Sequence, residues 1–213
     1  MIQHQVFTFN PFQENTWLIW NEAKDCIILD PGCCNKKEEK ELTDFLEERE
    51  LKPKGIWLTH CHIDHVLGLS FCTEKWDIPY HLHQLEAAPL KSVEVYAPVY
   101  GFNGFKAPSD ASSFLSAGNI RLGEEVFDIL EVPGHSPGHL AFYHAQTGQV
   151  WSGDVLFRES IGRTDLPGGS FEQLCTSIRE VLYRLPERTR VFSGHGPETS
   201  IGHEMRCNPF VPR

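Results

Sequence analysis

No run of about 18 consecutive apolar residues occurs in the chain, which excludes a hydrophobic membrane-spanning helix. Basic residues are few beside acidic ones, 19 Lys and Arg against 29 Asp and Glu, for a net charge of −10. A protein that lives by neutralising phosphates carries the opposite sign, so nucleic acid is not an expected partner. The seven cysteines contain no CxxC pair, and Cys33 and Cys34 are adjacent, which argues against a thiolate zinc site or a thioredoxin-type motif. Met1–Gln5 lacks the basic start and apolar stretch of a signal peptide. With an odd number of cysteines, reduced thiols and a cytoplasmic location are therefore expected. No repeat, low-complexity tract or linker divides the chain, and 17 Gly with 14 Pro exclude a coiled coil. An apolar content of 40% excludes disorder, and 213 residues are most simply one domain.

What is present reads as strands interleaved with helices. Val6–Phe9, Thr16–Trp20 and Cys26–Leu29 are short β-rich runs separated by turn residues. Lys36–Leu51 has the spacing of an amphipathic helix, with Leu42, Phe45 and Leu46 on one face. Gly55–Leu58 begins the next strand. His81 and His83 alternate on a further strand, but no third ligand is spaced to join them, so they are expected to be structural. Residues 92–119, rich in Gly, Pro and aromatics, read as a long irregular loop of the kind that forms a lid or stays unordered. Their Tyr96, Tyr100, Phe102 and Phe105 would wall a pocket or pack the loop. Strands follow at Arg121–Val132, Leu140–His144 and Gln149–Trp151. A capping box at Ser170 and Gln173 opens a helix with a stripe of Phe171, Leu174, Ile178, Leu182 and Leu185. Arg190–Phe192 reads as a strand and Glu198–Arg206 as a short helix. The pattern is α/β or α+β.

The densest chemical signal is Thr59-His60-Cys61-His62-Ile63-Asp64-His65, an HxHxDH string. His60 and His62, two apart, face one way in extended backbone, while Cys61 faces the other and is expected to pack. Asp64 and His65 fall where the next helix begins and can serve a neighbouring point. A capping Asp among incidental histidines is the bland alternative, and the spacing favours metal ligands. His135 in Pro-Gly-His-Ser, Asp154 in Ser-Gly-Asp and His195 in Ser-Gly-His-Gly each follow a β-prone run beside a glycine. Loops at strand ends, held by a rigid sheet, commonly carry ligands. His60, His62 and His135 can hold one ion, Asp64, His65 and His195 a second, and Asp154 can bridge them. Each ion would keep an open position for a shared water, which ionises near pH about 7 and makes a hydroxide nucleophile. Metal-assisted hydrolysis is the expected reaction class. The His and Asp donors suit two divalent ions, zinc first, with iron or manganese also served. His139, four residues beyond His135, would support the ligands from behind.

These motifs resemble the metallo-β-lactamase superfamily, whose hallmark is HxHxDH followed by later His, Asp and His ligands. The resemblance runs from about Phe7 to His195 and implies a four-layer αββα sandwich, with Asp30 in Leu-Asp-Pro-Gly supporting the ligands from behind. Within the superfamily, Thr59–Gly68, Pro133–His139, Ser152–Phe157 and Gly162–Gly169 are similar to the glyoxalase II (hydroxyacylglutathione hydrolase) branch, in its short single-domain bacterial form without a C-terminal helical domain. That implies hydrolysis of a small-molecule thioester, S-lactoylglutathione in particular, with Asp64 and Asp154 beside the bridging hydroxide. It also places Arg163 where longer enzymes carry a basic residue for glutathione; an ion pair with Asp165 is the equal alternative. A mononuclear iron persulfide dioxygenase is the second reading and a phosphodiesterase or nuclease the third.

Overall fold

The computed structural model describes residues 1–109 and 113–212. The rest of the expected 92–119 loop (residues 110–112) and Arg213 lie outside the described residues. Strands β1 (Gln3–Phe9) and β2 (Glu14–Trp20) pair antiparallel, with Phe9 opposite Glu14. Every residue of β2 is buried, as its apolar run requires. Strand β3 (Asp25–Leu29) continues the meander. Helix α1 (Lys36–Glu48) begins at Asn35, whose side chain accepts from the N–H groups of Lys37 and Glu38 at 3.0 and 3.1 Å. It stops three residues short of the expected Leu51. Glu50 takes a left-handed conformation, and Leu51 N–H returns to Leu46 O at 2.9 Å while Glu50 N–H returns to Glu47 O at 3.0 Å. This is a Schellman stop without its usual glycine, so the sequence carries no visible signal for it.

Strand β4 (Lys52–Trp57) lies parallel to β3, and β5 (Tyr80–His83) parallel to β4. Between them run two short helices, α2 (Ile63–Val66) and α3 (Leu69–Trp76). Helix α4 (Ala87–Tyr96) and a 3-10 turn over Ala97–Tyr100 take up the first part of the 92–119 stretch that reads as irregular, before β6 (Ser113–Leu115) closes a six-stranded sheet in the order β1 to β6. Pro98 stands at the start of the 3-10 turn, where a proline is tolerated. Phe102 and Phe105 pack on the core rather than standing free.

The second sheet is built from β7 (Gly118–Leu122), β8 (Glu125–Glu131), β9 (Leu140–His144), β10 (Gln149–Gly153), β13 (Arg190–Ser193) and β14 (Thr199–Ser200). The strand expected over Arg121–Val132 is thus the hairpin β7–β8 turning at Gly123 (φ +61°). A small ribbon, β11 (Leu156–Phe157) with β12 (Ser160–Ile161), follows β10. Helix α5 (Phe171–Glu180) is capped by Ser170, as the sequence indicates, and α6 (Ile201–Cys207) by Ser200. Contacts divide the chain into two compact units, Met1–Leu115 with Leu122–Glu125, and Ser116–Arg121 with Val126 onward. Each sheet has its own buried apolar cluster, centred in the first unit on residues such as Leu18, Ile28, Leu42 and Ile56, and in the second on Val150, Leu174, Ile178 and Val191. No helix among the described residues is long and apolar enough to cross a membrane.

The expected stripe on α5 is shorter than the sequence suggests, since Leu182 falls in a 3-10 turn after the helix and Leu185 beyond it, and its first residue differs too. Leu174 and Ile178 are fully buried, but Phe171 is 54% exposed because it opens the helix on the solvent side. Ile178→Ala should therefore lower stability by about 2–5 kcal/mol in urea denaturation. Phe171→Ala should cost less than about 0.5 kcal/mol, whereas the unrevised stripe requires comparable losses.

Candidate metal centre

Parallel pairing brings the candidate ligands of the first unit to one sheet edge. Asp30 N–H donates to Trp57 O at 3.1 Å and Leu58 N–H to His81 O at 2.9 Å, so the chain leaves β3, β4 and β5 side by side. His60 follows β4, and His62 is the cap residue before α2, with extended backbone at φ −69° and ψ 152°. The rings of His60 and His62 lie 4.7 Å apart between centroids, and those of His60 and His65 4.2 Å apart. His65 Nε2 stands 3.7 Å from Asp64 Oδ2. Cys61 points into the apolar cluster, as alternation requires.

Behind this group lies a buried polar layer. Asp30 accepts from Thr59 N–H at 2.7 Å, from the Thr59 hydroxyl at 2.6 Å and from His65 Nδ1 at 3.1 Å. Because Thr59 gives its proton to Asp30, its oxygen is left to accept from His60 Nδ1 at 3.0 Å. These bonds assign the Nδ1–H tautomer to His60 and His65 and put the lone pair of each ring on Nε2. An imidazole tied at one nitrogen to an oxygen is the arrangement in which histidine binds a metal through the other. Asn10 Nδ2 donates to Asp64 O and to Gly32 O, both at 3.0 Å, anchoring the β1–β2 turn to the same loop. Burial pushes the Glu14 carboxyl well above the ordinary range, and it lies beside Thr16 Oγ1 at 2.8 Å.

The second unit gathers His135, Asp154 and His195. Strands β10 and β13 run parallel, and Gly194 N–H reaches Gly153 O at 2.9 Å, so Asp154 and His195 emerge together. Asp154 Oδ2 stands 3.6 Å from His135 Nε2 and 3.4 Å from His195 Nε2. One carboxylate oxygen thus stands close to both imidazoles. His135 Nδ1 lies 2.7 Å from Arg163 O and donates to it, again leaving Nε2 as the lone pair. His139 takes the supporting part expected of it, accepting Asp154 N–H on Nε2 at 3.1 Å. The loop bearing His135 is seated on α5: Gly134 O accepts Ser170 N–H at 2.7 Å and Pro133 O accepts the Ser177 hydroxyl at 2.6 Å. Gly134 has φ +135°, and a Cβ there would sit 2.2 Å from Leu174 N. At Gly162 a Cβ would meet Asp154 O at 1.9 Å and His135 Nδ1 at 3.1 Å, so only glycine lets that strand lie against both ligands.

The family profile for the metallo-beta-lactamase superfamily matches residues 9–195. The chain belongs to that superfamily. It is 36% identical over 213 residues to hydroxyacylglutathione hydrolase GloC of Haemophilus influenzae, covering 97% of each chain. Among solved structures, BLEG-1 B3 metallo-beta-lactamase is 35% identical with a TM-score of 0.90, covering 98% of this chain and 99% of its own. TTHA1623 in a di-iron-bound form is 39% identical with a TM-score of 0.87, covering 97% and 100%. The fold is that of the superfamily, and its His and Asp donors are those of a metal-dependent hydrolase.

Other sequence candidates of this superfamily member settle differently. His81 Nδ1 meets Ser113 Oγ at 2.7 Å and His83 Nδ1 accepts Leu85 N–H at 3.2 Å, which are structural roles. Arg163 makes a two-pronged pair with Asp165, Nε to Oδ1 and Nη2 to Oδ2, both 2.7 Å, while its carbonyl orients His135. That guanidinium holds the exposed Asp165 carboxyl down at about 2. The sign follows: the ion pair is present above the ordinary carboxyl range and is lost as pH falls through about 2. In an NMR titration Asp165 should protonate near 2, and in Arg163→Ala it should return towards about 3.9. No displacement would show that the pair does not persist in solution.

Proposed function

We propose that His60, His62, Asp64, His65, His135, Asp154 and His195 form one binuclear metal centre of a thioester hydrolase. The substrate class is S-acylglutathione, with S-lactoylglutathione its simplest member. The observation that carries this reading is the placing of Asp154 Oδ2 between the Nε2 atoms of His135 and His195. A carboxylate so flanked fits two ions, one on each imidazole, and the tied Nδ1 atoms of His60, His65 and His135 fit the same purpose. Similarity to a protein named hydroxyacylglutathione hydrolase supports the thioester. Zinc or iron suits the donors, and the di-iron form of a structural relative supports iron as strongly as the ligand chemistry supports zinc.

When bound, such ions bring water towards ionisation at neutral pH and polarise a carbonyl oxygen. The chain's own residues do the remainder. Asp64, in the first turn of α2, would orient the attacking water by accepting a hydrogen bond from it. Asp154 contributes negative charge where the cations gather. Arg163, exposed and planar, exchanges Asp165 for a glutathione carboxylate. The leaving thiolate is stable enough to depart without a dedicated acid, and the reading assigns none.

Mass spectrometry of protein purified without added metal should find about two ions per chain, and the count should fall sharply in Asp154→Ala. Turnover of S-lactoylglutathione by that variant should drop by more than about 100-fold, beyond the usual loss from a supporting residue. Arg163→Ala should raise KM about tenfold with kcat little changed, the size of one lost charge-assisted hydrogen bond. A single iron, with oxygen consumed on glutathione persulfide, would replace this reading with the dioxygenase. Hydrolysis of a chromogenic β-lactam in place of the thioester would assign the other chemistry named among its relatives.

A further inference from the structure

The N–H groups of Thr59, Cys61 and Ile63, on either side of His60 and His62, each face a side chain. Asp30 Oδ1 takes Thr59 N–H at 2.7 Å, Glu86 Oε2 takes Cys61 N–H at 2.9 Å, and the Tyr96 hydroxyl oxygen faces Ile63 N–H. Asp30 is already accounted for by its support of His65. Glu86 and Tyr96 are not, and both belong to one helical arm, since Glu86 precedes α4 and Tyr96 ends it. The arm reaches the loop because β5 runs parallel to β4, which delivers residues 84–86 beside the chain leaving β4.

Glu86 is fully buried. It stands at the cap position of α4, yet its carboxylate makes no cap bond to that helix and is given to Cys61, the residue between two candidate ligands. A carboxylate is costly to bury unless hydrogen bonds hold its charge, and the positive end of α4 offsets that cost without fixing its aim.

We infer that Glu86 and Tyr96 are positioning residues of the metal centre, through which α4 grips the loop on either side of His62 and sets the spacing of the His60 and His62 imidazoles. The inference rests on the metal reading above. Both act through the backbone, on the N–H groups that flank His62.

Three variants of the full chain test it: Glu86→Asp withdraws the oxygen by one methylene but keeps the charge, Glu86→Gln keeps an acceptor oxygen at full length without the charge, and Tyr96→Phe removes the hydroxyl but keeps the ring. Zinc affinity is read by competition with a chromophoric chelator, and amide hydrogen exchange at Cys61 and Ile63 is read on the metal-free protein. Glu86→Asp and Tyr96→Phe should weaken zinc binding about 10- to 100-fold, the range for residues that orient metal ligands. They should also speed exchange at Cys61 and Ile63 respectively, and Glu86→Gln should rescue both affinity and protection. Folded variants that bind zinc as tightly as the unaltered chain overturn the inference. Should Glu86→Asp not fold, Tyr96→Phe decides alone, and faster exchange at Ile63 without weaker zinc binding overturns the inference. An unaltered chain that holds no zinc removes the metal reading itself and this inference with it, whereas tight binding by the unaltered chain and all variants removes only the inference.

Discussion

Parallel strand pairing fixes where the candidate ligands emerge. In the first sheet Leu29 pairs with Trp57 and Trp57 with His81, so the loops after β3, β4 and β5 leave at one edge. In the second, Val150 pairs with Val191 and Trp151 with Phe192, which sends Asp154 and His195 out together. Antiparallel pairing would carry alternate loops to opposite edges. The ladders are held by fully buried side chains such as Ile28, Ile56, Val150 and Val191, so the packing that stabilises each sheet also sets the geometry of the loops. A core substitution that shifted one strand by a residue would turn every side chain on it to the other face and remove its ligand from the edge.

Rigid strands alone do not orient an imidazole. His60, His65 and His135 are each turned by a bond at Nδ1, to Thr59 Oγ1, Asp30 Oδ2 and Arg163 O. The three partners differ in kind: a hydroxyl, a carboxylate and a backbone carbonyl. Only the chemistry is shared, an oxygen that fixes the proton on one nitrogen and the lone pair on the other. Two of the three come from the residue next to a ligand or from a distant loop that glycine lets approach, as at Gly162, where any side chain would displace Asp154. Glycines thus shape the candidate site as much as its candidate donors do.

The candidate donors were legible in the sequence, and most of the residues that hold them in place were not. HxHxDH can be read because ligand spacing is local, and His135, Asp154 and His195 because each follows an apolar run and sits beside glycine. Asp30 was legible only through resemblance. Glu86 was missed because nothing within a few residues of it marks a site; its partner Cys61 lies 25 positions earlier and meets it only through the pairing of β4 with β5. The helix α4 was hidden for a related reason, since the Gly- and Pro-rich stretch from residue 92 onward suggests a loop, whereas burial of Leu90 and Val93 decides for helix. The end of α1 was misplaced because Glu50 does at +55° what glycine usually does. Short strands such as β11, β12 and β14 exist through pairing and have too few residues to show a period.

Glu14 shows how the buried layer keeps its acids from opposing one another. Its side chain lies so close over Gly32 that a Cβ there would fall 2.0 Å from Oε2, and it sits 4.0 Å from His65 Nδ1. Two ionised carboxylates at such proximity to one ring would repel and would need more donors than Thr16, Thr59 and His65 supply. Burial pushes the Glu14 carboxyl well above its ordinary range, with His65 opposing and the nearby negative charge of Asp30 acting in the same direction as burial. Asp30 accepts three bonds from Thr59 and His65. The two acids thereby take complementary parts, one filling space and closing a hydrogen-bond chain through Thr16, the other orienting His65. Such a division arises from environment alone, because the two side chains differ by a single methylene.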